Sequence, residues 1–368
     1  MIKVEHIVLT GGHAGTTAIA FIQKAKRLNK NWKFFFIGAK SSFEGKDVPT
    51  LESKTLPMLN VKFIPIFTGR IQRKLTIWTI PSIFKIPVGF FHAFLILFKI
   101  KPKVVLSFGG FSAFPVVVAA YLLRVPIIIH EQTAVVGRAN RFSSFFAKRI
   151  ALARRTSIPF FDRKKIVITG NPISENVVSL KPKLKIGIPP TLLIVGGKSG
   201  SVTINDIIEK SLRKLLLKFN VNHQTGIYQY KKFLAVRNKL SVREKRRYKV
   251  FSIINPLKMS KYLQSCDILI SRAGANIVSE AIAAKIPSIF IPLPFSYLDE
   301  QTKNALFAKK YKIAEILEQK SLNPESLYRL ILKVRKNWVS TKKASLKLKS
   351  PDLNASENLV NLVEEYMQ

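Results

Sequence analysis

Three short glycine turns hold the residues best suited to chemistry. Thr10-Gly11-Gly12-His13 closes an apolar run and opens a helix-period segment. Glycines there let backbone N–H groups approach a diphosphate, and a helix N-terminus favours the anion. A bare glycine turn is more often a tight strand–helix connection, so the histidine adds the information. His13 suits a general base near neutral pH, and equally a side chain that satisfies backbone groups. Gly196-Gly197-Lys198-Ser199-Gly200-Ser201 is a second turn of this kind. It lacks the full phosphate-loop spacing and the dinucleotide fingerprint, which disfavours ATP hydrolysis and NAD binding. A third turn, Ser271-Arg272-Ala273-Gly274-Ala275-Asn276, precedes a segment bearing Ser279 and Glu280. An acid just past a strand's carboxyl end can accept hydrogen bonds from ribose hydroxyls, although a lone helix glutamate is more often solvated. No Asp-x-Asp lies in a metal-binding context and the five histidines are scattered. No obligatory metal or other cofactor is therefore expected.

The elements that must position these turns alternate between short apolar strands and helix-period stretches. Strands are predicted at 5–10, 32–38, 61–66, 103–108, 126–130, 149–153 and 165–169, then at 191–196, 221–225, 249–254, 267–271, 287–292 and 314–317. Ala18, Phe21, Ile22 and Ala25 share one helical face, and Ile204, Ile207, Ile208, Leu212 and Leu215 share another. Continuous apolar strands such as TLLIVGG suit parallel sheets covered on both faces. The alternation implies an α/β fold with a doubly wound parallel sheet, occurring twice. The division falls in the proline-rich stretch NPISENVVSLKPKLKIGIPP. This gives an N-terminal domain at 1–172, a C-terminal domain at 173–349, and a last helix at about 350–368 that packs back on the first domain. Glycine loops at the strand ends of two facing domains suggest a nucleotide-diphosphate compound in the cleft between them.

Composition sets the class. A chain of 368 residues exceeds one typical core, and 47% hydrophobic against 22% charged residues argues for folded structure. One cysteine, Cys266, excludes an internal disulfide framework and points to a reducing compartment. The start MIKVEHIVLTGGHAG reads as a first strand and loop rather than a signal peptide. The formal charge of +40 has three readings: nucleic-acid binding, attraction to anionic lipid, or lysine enrichment without a partner. The lysines spread along the whole chain, which speaks against a specific nucleic-acid site. Residues 75–99 are strongly apolar and flanked by Arg70, Arg73, Lys74, Lys99, Lys101 and Lys103. Pro81, Lys85 and Pro87 interrupt the segment, leaving too little clean length for a roughly 30 Å hydrocarbon core. It reads either as a buried helix or as an interfacial one with its lysines on anionic lipid.

Eight segments stand in one order: LTGGHAG, SFGGFSAFPVVVAA, PIIIHEQTAVVGRANR, VTGNPI, LLIVGGKSGS, HQTG, SRAGANIVSEAIAAKIPSIFIPLP and DEQTKNA. Over about residues 5–310 the chain resembles the MurG family, transferases of bacterial peptidoglycan synthesis. The resemblance implies a GT-B fold and an inverting hexosyltransferase with UDP-N-acetylglucosamine as donor. The implied acceptor is a polyprenyl-diphosphate-linked muramyl-pentapeptide, lipid I, and the product is lipid II. It implies a peripheral protein at the cytoplasmic face of the cell membrane, with an anionic membrane surface and no specific nucleic acid among its partners. By the same resemblance, Thr10, Gly11, Gly12 and His13 face the acceptor diphosphate and donor sugar, with Gly109, Gly110 and Phe111 on the acceptor side. Ala275, Asn276, Ile277, Val278, Ser279 and Glu280 would hold uridine and ribose. Gly197, Lys198 and Ser199 would lie near the donor diphosphate, Gln301 and Asn304 near the donor sugar, and Ile254 against uracil.

Some positions depart from the family pattern. The first loop is poorer in glycine and continues AGTT; HEQN becomes HEQT, with Thr133 where an asparagine usually helps hold the sugar. GNPVR becomes GNPIS, so Ser174 stands where an arginine is usual, and GGSQG becomes GGKSG, introducing Lys198. Lys198 is expected to supply the positive charge lost at Ser174. His13 is the first choice for the base that accepts the acceptor proton, and Glu131 of HEQT the second. The alternatives are a related transferase acting on another lipid, or a non-catalytic UDP-sugar-binding homologue. A basic nucleic-acid-binding protein is the reading from a third class.

Overall fold

The computed structural model describes residues 4–12, 15–43, 46–69, 79–197 and 200–367. It divides into two compact units, Met1–Glu175 with Pro351–Gln368, and Asn176–Ser350. The sequence reading put the two crossings at 172/173 and 349/350.

The first unit is built on β1 (Glu5–Thr10), β2 (Trp32–Gly38), a short antiparallel pair β3 (Ser41–Phe43) and β4 (Lys46–Pro49), β5 (Lys62–Pro65), β6 (Val104–Ser107), β7 (Ile127–Glu131), β8 (Arg149–Leu152) and β9 (Ile166–Ile168). Seven of these form one sheet in the order β5-β2-β1-β6-β7-β8-β9, with every pairing parallel. The continuous apolar runs account for this: Ile7, Val8 and Leu9 of β1 and Ile128 and Ile129 of β7 are fully buried, as strands covered on both faces require. The helix Gly15–Arg27 buries Ala18, Phe21, Ile22 and Ala25, the face the periodicity predicted, and ends on Lys24, Lys26 and Arg27, which suit the negative end of the helix dipole.

The C-terminal helix Ala355–Glu364 packs against the helix Gly15–Arg27. Lys24 pairs with Glu175 and Glu357, each at 2.9 Å. At the return of the chain, Arg154 and Asp352 form a buried bidentate pair with both bonds at 2.7 Å. Asp352 also accepts from Asn171 N–H at 2.8 Å, so one carboxylate holds both crossing segments to this unit.

The apolar segment is helical, as both of its readings require. A single helix, Thr79–Ile100, runs through both prolines. Pro81 sits in the first turn, where the missing N–H has no intrahelical partner, and Pro87 removes only one ladder bond. Packing of Ala93 and Leu97 against the helix Ala113–Leu122 and its core offsets that loss. Residues 75–78 of the segment lie outside the described residues.

The second unit carries β10 (Thr191–Val195), β11 (Asn220–Gln224), β12 (Tyr248–Phe251), β13 (Ile268–Ser271), β14 (Ser288–Phe290) and β15 (Ala314–Ile316). They form a parallel sheet in the order β12-β11-β10-β13-β14-β15. The helix Val202–Leu216 packs the predicted face into the core, with Ile204, Ile208, Leu212 and Leu215 buried and Ile207 partly so. In both sheets the strand order reverses beside the first strand, between β1 and β6 and between β10 and β13. Open α/β sheets bind ligands at such switch points, outside the strands' carboxyl ends.

Candidate functional site

At the β1/β6 switch point, two glycine turns nearly a hundred positions apart interlock. Thr10 and Ser107 are paired in register. Phe108 N–H donates to Thr10 O and Gly12 N–H donates to Gly109 O, each at 2.8 Å. Gly110 adopts φ +94°, and a Cβ there would lie 2.6 Å from Gly12 N. A side chain at that position would force the two turns apart. The structure thus brings together Gly11 and Gly12 with Gly109, Gly110 and Phe111, while the Thr10 hydroxyl is buried and donates to Ile37 O at 2.8 Å. His13 lies outside the described residues.

The HEQT segment is more tightly committed than its sequence suggests. Glu131 is buried, and its carboxylate accepts from Thr133 N–H at 3.1 Å, Thr133 Oγ1 at 2.9 Å, Gly137 N–H at 2.8 Å and Asn140 Nδ2 at 3.0 Å. Burial pushes its pKa upward, against these hydrogen bonds. With both oxygens engaged, Glu131 is an organiser of the 131–140 loop, and this corrects its expected role as second-choice base. The Thr133 hydroxyl likewise bonds within the loop, to Glu131 and to Val135 O at 3.0 Å, and so is not aimed at a sugar. His130 is fully buried, its Nε2 lies 3.0 Å from Gly170 O, and burial lowers its pKa to about 4. It is neutral at physiological pH and must donate from Nε2, because a carbonyl can only accept.

Two more features were not foreseen in this unit. Buried Glu52 accepts from Gly15 N–H at 3.1 Å, placing a protein carboxylate at the positive end of the helix Gly15–Arg27. Ser174 donates to Gln23 Oε1 at 3.0 Å, so its hydroxyl is turned onto that helix. Neither contact leaves a sequence signal, since each joins positions far apart in the chain.

The β10/β13 switch point of the second unit is arranged differently. The glycine turn follows Val195, whose carbonyl accepts from Ser271 Oγ at 2.9 Å. Lys198 and Ser199 lie outside the described residues. Ser201 caps the helix Val202–Leu216 by accepting from Ile204 N–H at 3.4 Å. Across the switch point, the helix Ala275–Ala284 starts at Gly274 with no side-chain cap and no acid in its first turn. Its leading N–H groups therefore form a site favourable to an anion. Glu280, in the second turn of this helix, is 7% exposed, and burial alone raises its pKa to about 8. No group among the described residues donates to it.

Arg272, quoted in the third turn without a role, organises the surroundings. Its Nε donates to Ser201 Oγ at 3.1 Å, Nη1 to Ile291 O at 3.1 Å and Pro292 O at 3.3 Å, and Nη2 to Gln319 Oε1 at 2.7 Å. One half-buried guanidinium thus joins the loops after β10, β13, β14 and β15. Gln301 accepts from Leu293 N–H at 3.0 Å through its carboxamide oxygen, which leaves its NH2 as the outward donor. Asn304 is buried and donates to Ala273 O at 3.1 Å. Just before Gln301, Leu298 and Asp299 both take left-handed conformations, at φ +53° and +54°. Backbone strain of this kind, about 1 kcal/mol or more per residue, concentrates at functional loops. Ile254 is buried and donates its N–H to Gln224 Oε1 at 3.3 Å. Ala275, Val278 and Ser279 are buried, while Asn276 and Ile277 are half-buried on the leading turn.

The two units match two domain families in turn. Residues 7–152 match the glycosyltransferase family 28 N-terminal domain and residues 191–359 its C-terminal domain. A protein of Clostridium kluyveri named UDP-N-acetylglucosamine--N-acetylmuramyl-(pentapeptide) pyrophosphoryl-undecaprenol N-acetylglucosamine transferase is 30% identical, over 99% of this chain and 100% of its own length. A protein of the same name from Treponema denticola is 33% identical, over 88% of this chain and 87% of its own. Among solved structures, MurG of Acinetobacter baumannii superposes with a TM-score of 0.68 at 25% identity, covering 98% of this chain and 99% of that one.

Proposed function

The chain belongs to the MurG family of glycosyltransferases, and from that premise we propose that it transfers N-acetylglucosamine from UDP-N-acetylglucosamine to the muramyl 4-hydroxyl of lipid I, giving lipid II with inversion. The observation that supports the donor half best is Glu280, a buried carboxyl that receives no hydrogen bond among the described residues, on a helix whose N-terminus has no side-chain cap. A ribose supplies two hydroxyls for such a group, and the N–H groups from Ala275 onward suit a diphosphate oxygen or the uracil edge. In this reading Ile254 lies against the base, Gly197, Lys198 and Ser199 lie at the diphosphate, and the Gln301 NH2 reaches the sugar.

The reaction is one displacement. The muramyl O4 forms a bond to the anomeric carbon while the bond from that carbon to the UDP oxygen breaks. The hydroxyl proton passes to a base, and UDP departs as the anion. We assign the base to His13, since the other candidate carboxylate is fully hydrogen-bonded. The leaving diphosphate needs pre-aligned donors and positive charge; the uncapped helix, Lys198 and the Arg272 charge would supply them without a resident metal.

A lipid acceptor calls for a membrane-facing surface, and the first unit offers one. Val88, Phe91, Leu95 and Phe98 are 40–66% exposed and spaced three, four and three apart, which lines them along one face of the helix Thr79–Ile100. Ring contacts Phe90–Phe114, Phe114–Phe146 and Tyr121–Phe146 extend this region to exposed Tyr121, Phe142 and Phe145. Lys99, Lys101, Arg141 and Lys148 flank it in sequence. Among the described residues no helix is long and apolar enough to cross a membrane. Aromatic side chains in the headgroups with lysines on anionic lipid would hold the protein peripherally at the cytoplasmic face.

The deciding experiment is transfer of labelled N-acetylglucosamine from UDP to purified lipid I, run beside a diacylglycerol acceptor. Labelled lipid II together with free UDP is the expected result. Transfer to the diacylglycerol alone, or UDP binding without transfer to either lipid, would overturn the reading.

A further inference from the structure

The HQTG segment, His223-Gln224-Thr225-Gly226, was singled out in the sequence but has no part in the chemistry above. Gln224 ends β11, with Val195 of β10 on one side in register and Phe251 of β12 on the other. The first neighbour leads into the glycine turn and the second into Ile254. Gln224 is 3% exposed; its Nε2 donates to Gly197 O at 2.8 Å, and its Oε1 accepts from Ile254 N–H at 3.3 Å. A carbonyl can only accept and an amide N–H can only donate, so these partners fix which way the carboxamide faces. Only an amide side chain of this length can serve both at once.

The rest of the motif stiffens that bridge. Gly197 O also accepts from Gly200 N–H at 3.0 Å. Gly200, at φ +78°, presses so closely on Thr225 O that a Cβ would lie 2.0 Å from it. Behind Thr225, Asn205 Nδ2 donates to Thr225 O at 2.8 Å, so Asn205 Oδ1 accepts from His223 Nε2 at 3.0 Å. His223 Nδ1 then accepts from the Tyr248 hydroxyl at 2.9 Å. This buried chain, running from β12 to the start of the helix Val202–Leu216, sets the position of the strand end that carries Gln224. Arg272 holds the far end of the same turn through Ser201.

We propose that Gln224 is a positioning residue that couples the phosphate-facing turn at Gly197 to the base-facing backbone at Ile254, so that base and diphosphate strengthen each other's binding through one carboxamide. The proposal rests on the second unit being the UDP-sugar site. A ligand that contacts both ends biases both through the shared side chain, and such coupling is reciprocal. Uridine alone gains little from the bridge, because it engages one end. UDP engages both.

The test compares binding of uridine and of UDP to the full-length protein, as wild type, Gln224→Met and Gln224→Glu. Methionine keeps the volume and removes both hydrogen bonds. Glutamate keeps an acceptor for Ile254 and replaces the donor to Gly197, which guards against a folding defect in the first variant. The expected result is a UDP Kd raised about tenfold, the effect of about 1.4 kcal/mol, with the uridine Kd raised no more than about twofold. In turnover, the loss should fall on KM for the UDP-sugar rather than on kcat. Equal weakening of uridine and UDP would mark a merely structural residue and overturn the coupling. Unchanged UDP binding in both variants would overturn it too, with the donor-site reading intact. Failure of the wild type to bind UDP would instead overturn both.

Discussion

The two sheets share the order of their first six strands and one kind of glycine turn, yet the buried glutamates beside their switch points are treated in opposite ways. In the first unit, Glu131 is saturated by four donors and Glu52 receives the first N–H of the leading helix. In the second, Glu280 is buried with no donor among the described residues, and its pKa rises to about 8. A buried carboxyl that satisfies the backbone stabilises the fold; one left unsatisfied is destabilising until something fills the site. The glutamates beside the first switch point are therefore committed to the backbone of their own unit. The second holds unmatched groups for a ligand.

The largest effect that could break this contrast is at Glu131. Glu131→Gln replaces an acceptor with a donor against backbone N–H groups, and is expected to destabilise the protein by about 2 kcal/mol, read from denaturant unfolding. A Glu131→Gln protein as stable as wild type would remove the structural role. Glu280 supplies the mirror case. Its folded pKa of about 8 lies above the ordinary 4.5. Between those values the folded state keeps a proton that the unfolded state has released, so this group's contribution to stability falls as pH rises through that window. Glu280→Gln should therefore gain in melting temperature relative to wild type between about pH 5 and pH 8. A difference that stays constant with pH would contradict the unsatisfied state of Glu280.

A third prediction separates the membrane face from both switch points. Phe91→Asp with Phe98→Asp should cut sedimentation with anionic vesicles by about tenfold while leaving the UDP Kd unchanged. Equal vesicle binding would place the membrane contact elsewhere. The smallest effect is expected at Lys198, where Lys198→Ala should weaken UDP about threefold, in the range of an exposed ionic contact. Undiminished binding would show that Ser174 is not compensated there.

Much of the scaffold was readable in advance, because buried parallel strands announce themselves as continuous apolar runs: TLLIV and IIIHE are examples. The thirteen strands of the two sheets all overlap the predicted segments. The pair β3 and β4 escaped because SSF and KDVP have neither length nor alternation. The helix through Pro81 and Pro87 was legible as a helix, and tertiary packing offsets the local cost of its prolines. Polar partnerships were the least legible. Gly12 with Gly109, Glu52 with Gly15 and Gln224 with Gly197 join distant positions, and no local pattern encodes which group a side chain will meet. Glu131 illustrates the consequence: its sequence context suggested a base, and its hydrogen bonds make it a loop organiser.

The most direct test of the contrast is a UDP titration by calorimetry on three proteins: wild type, Glu280→Ala and Glu131→Gln. The account predicts that Glu280→Ala loses at least about tenfold in affinity, as expected when a carboxyl that receives ribose hydroxyls is removed, while Glu131→Gln binds UDP as wild type does. Loss of UDP binding in Glu131→Gln with Glu280→Ala unaffected would contradict it.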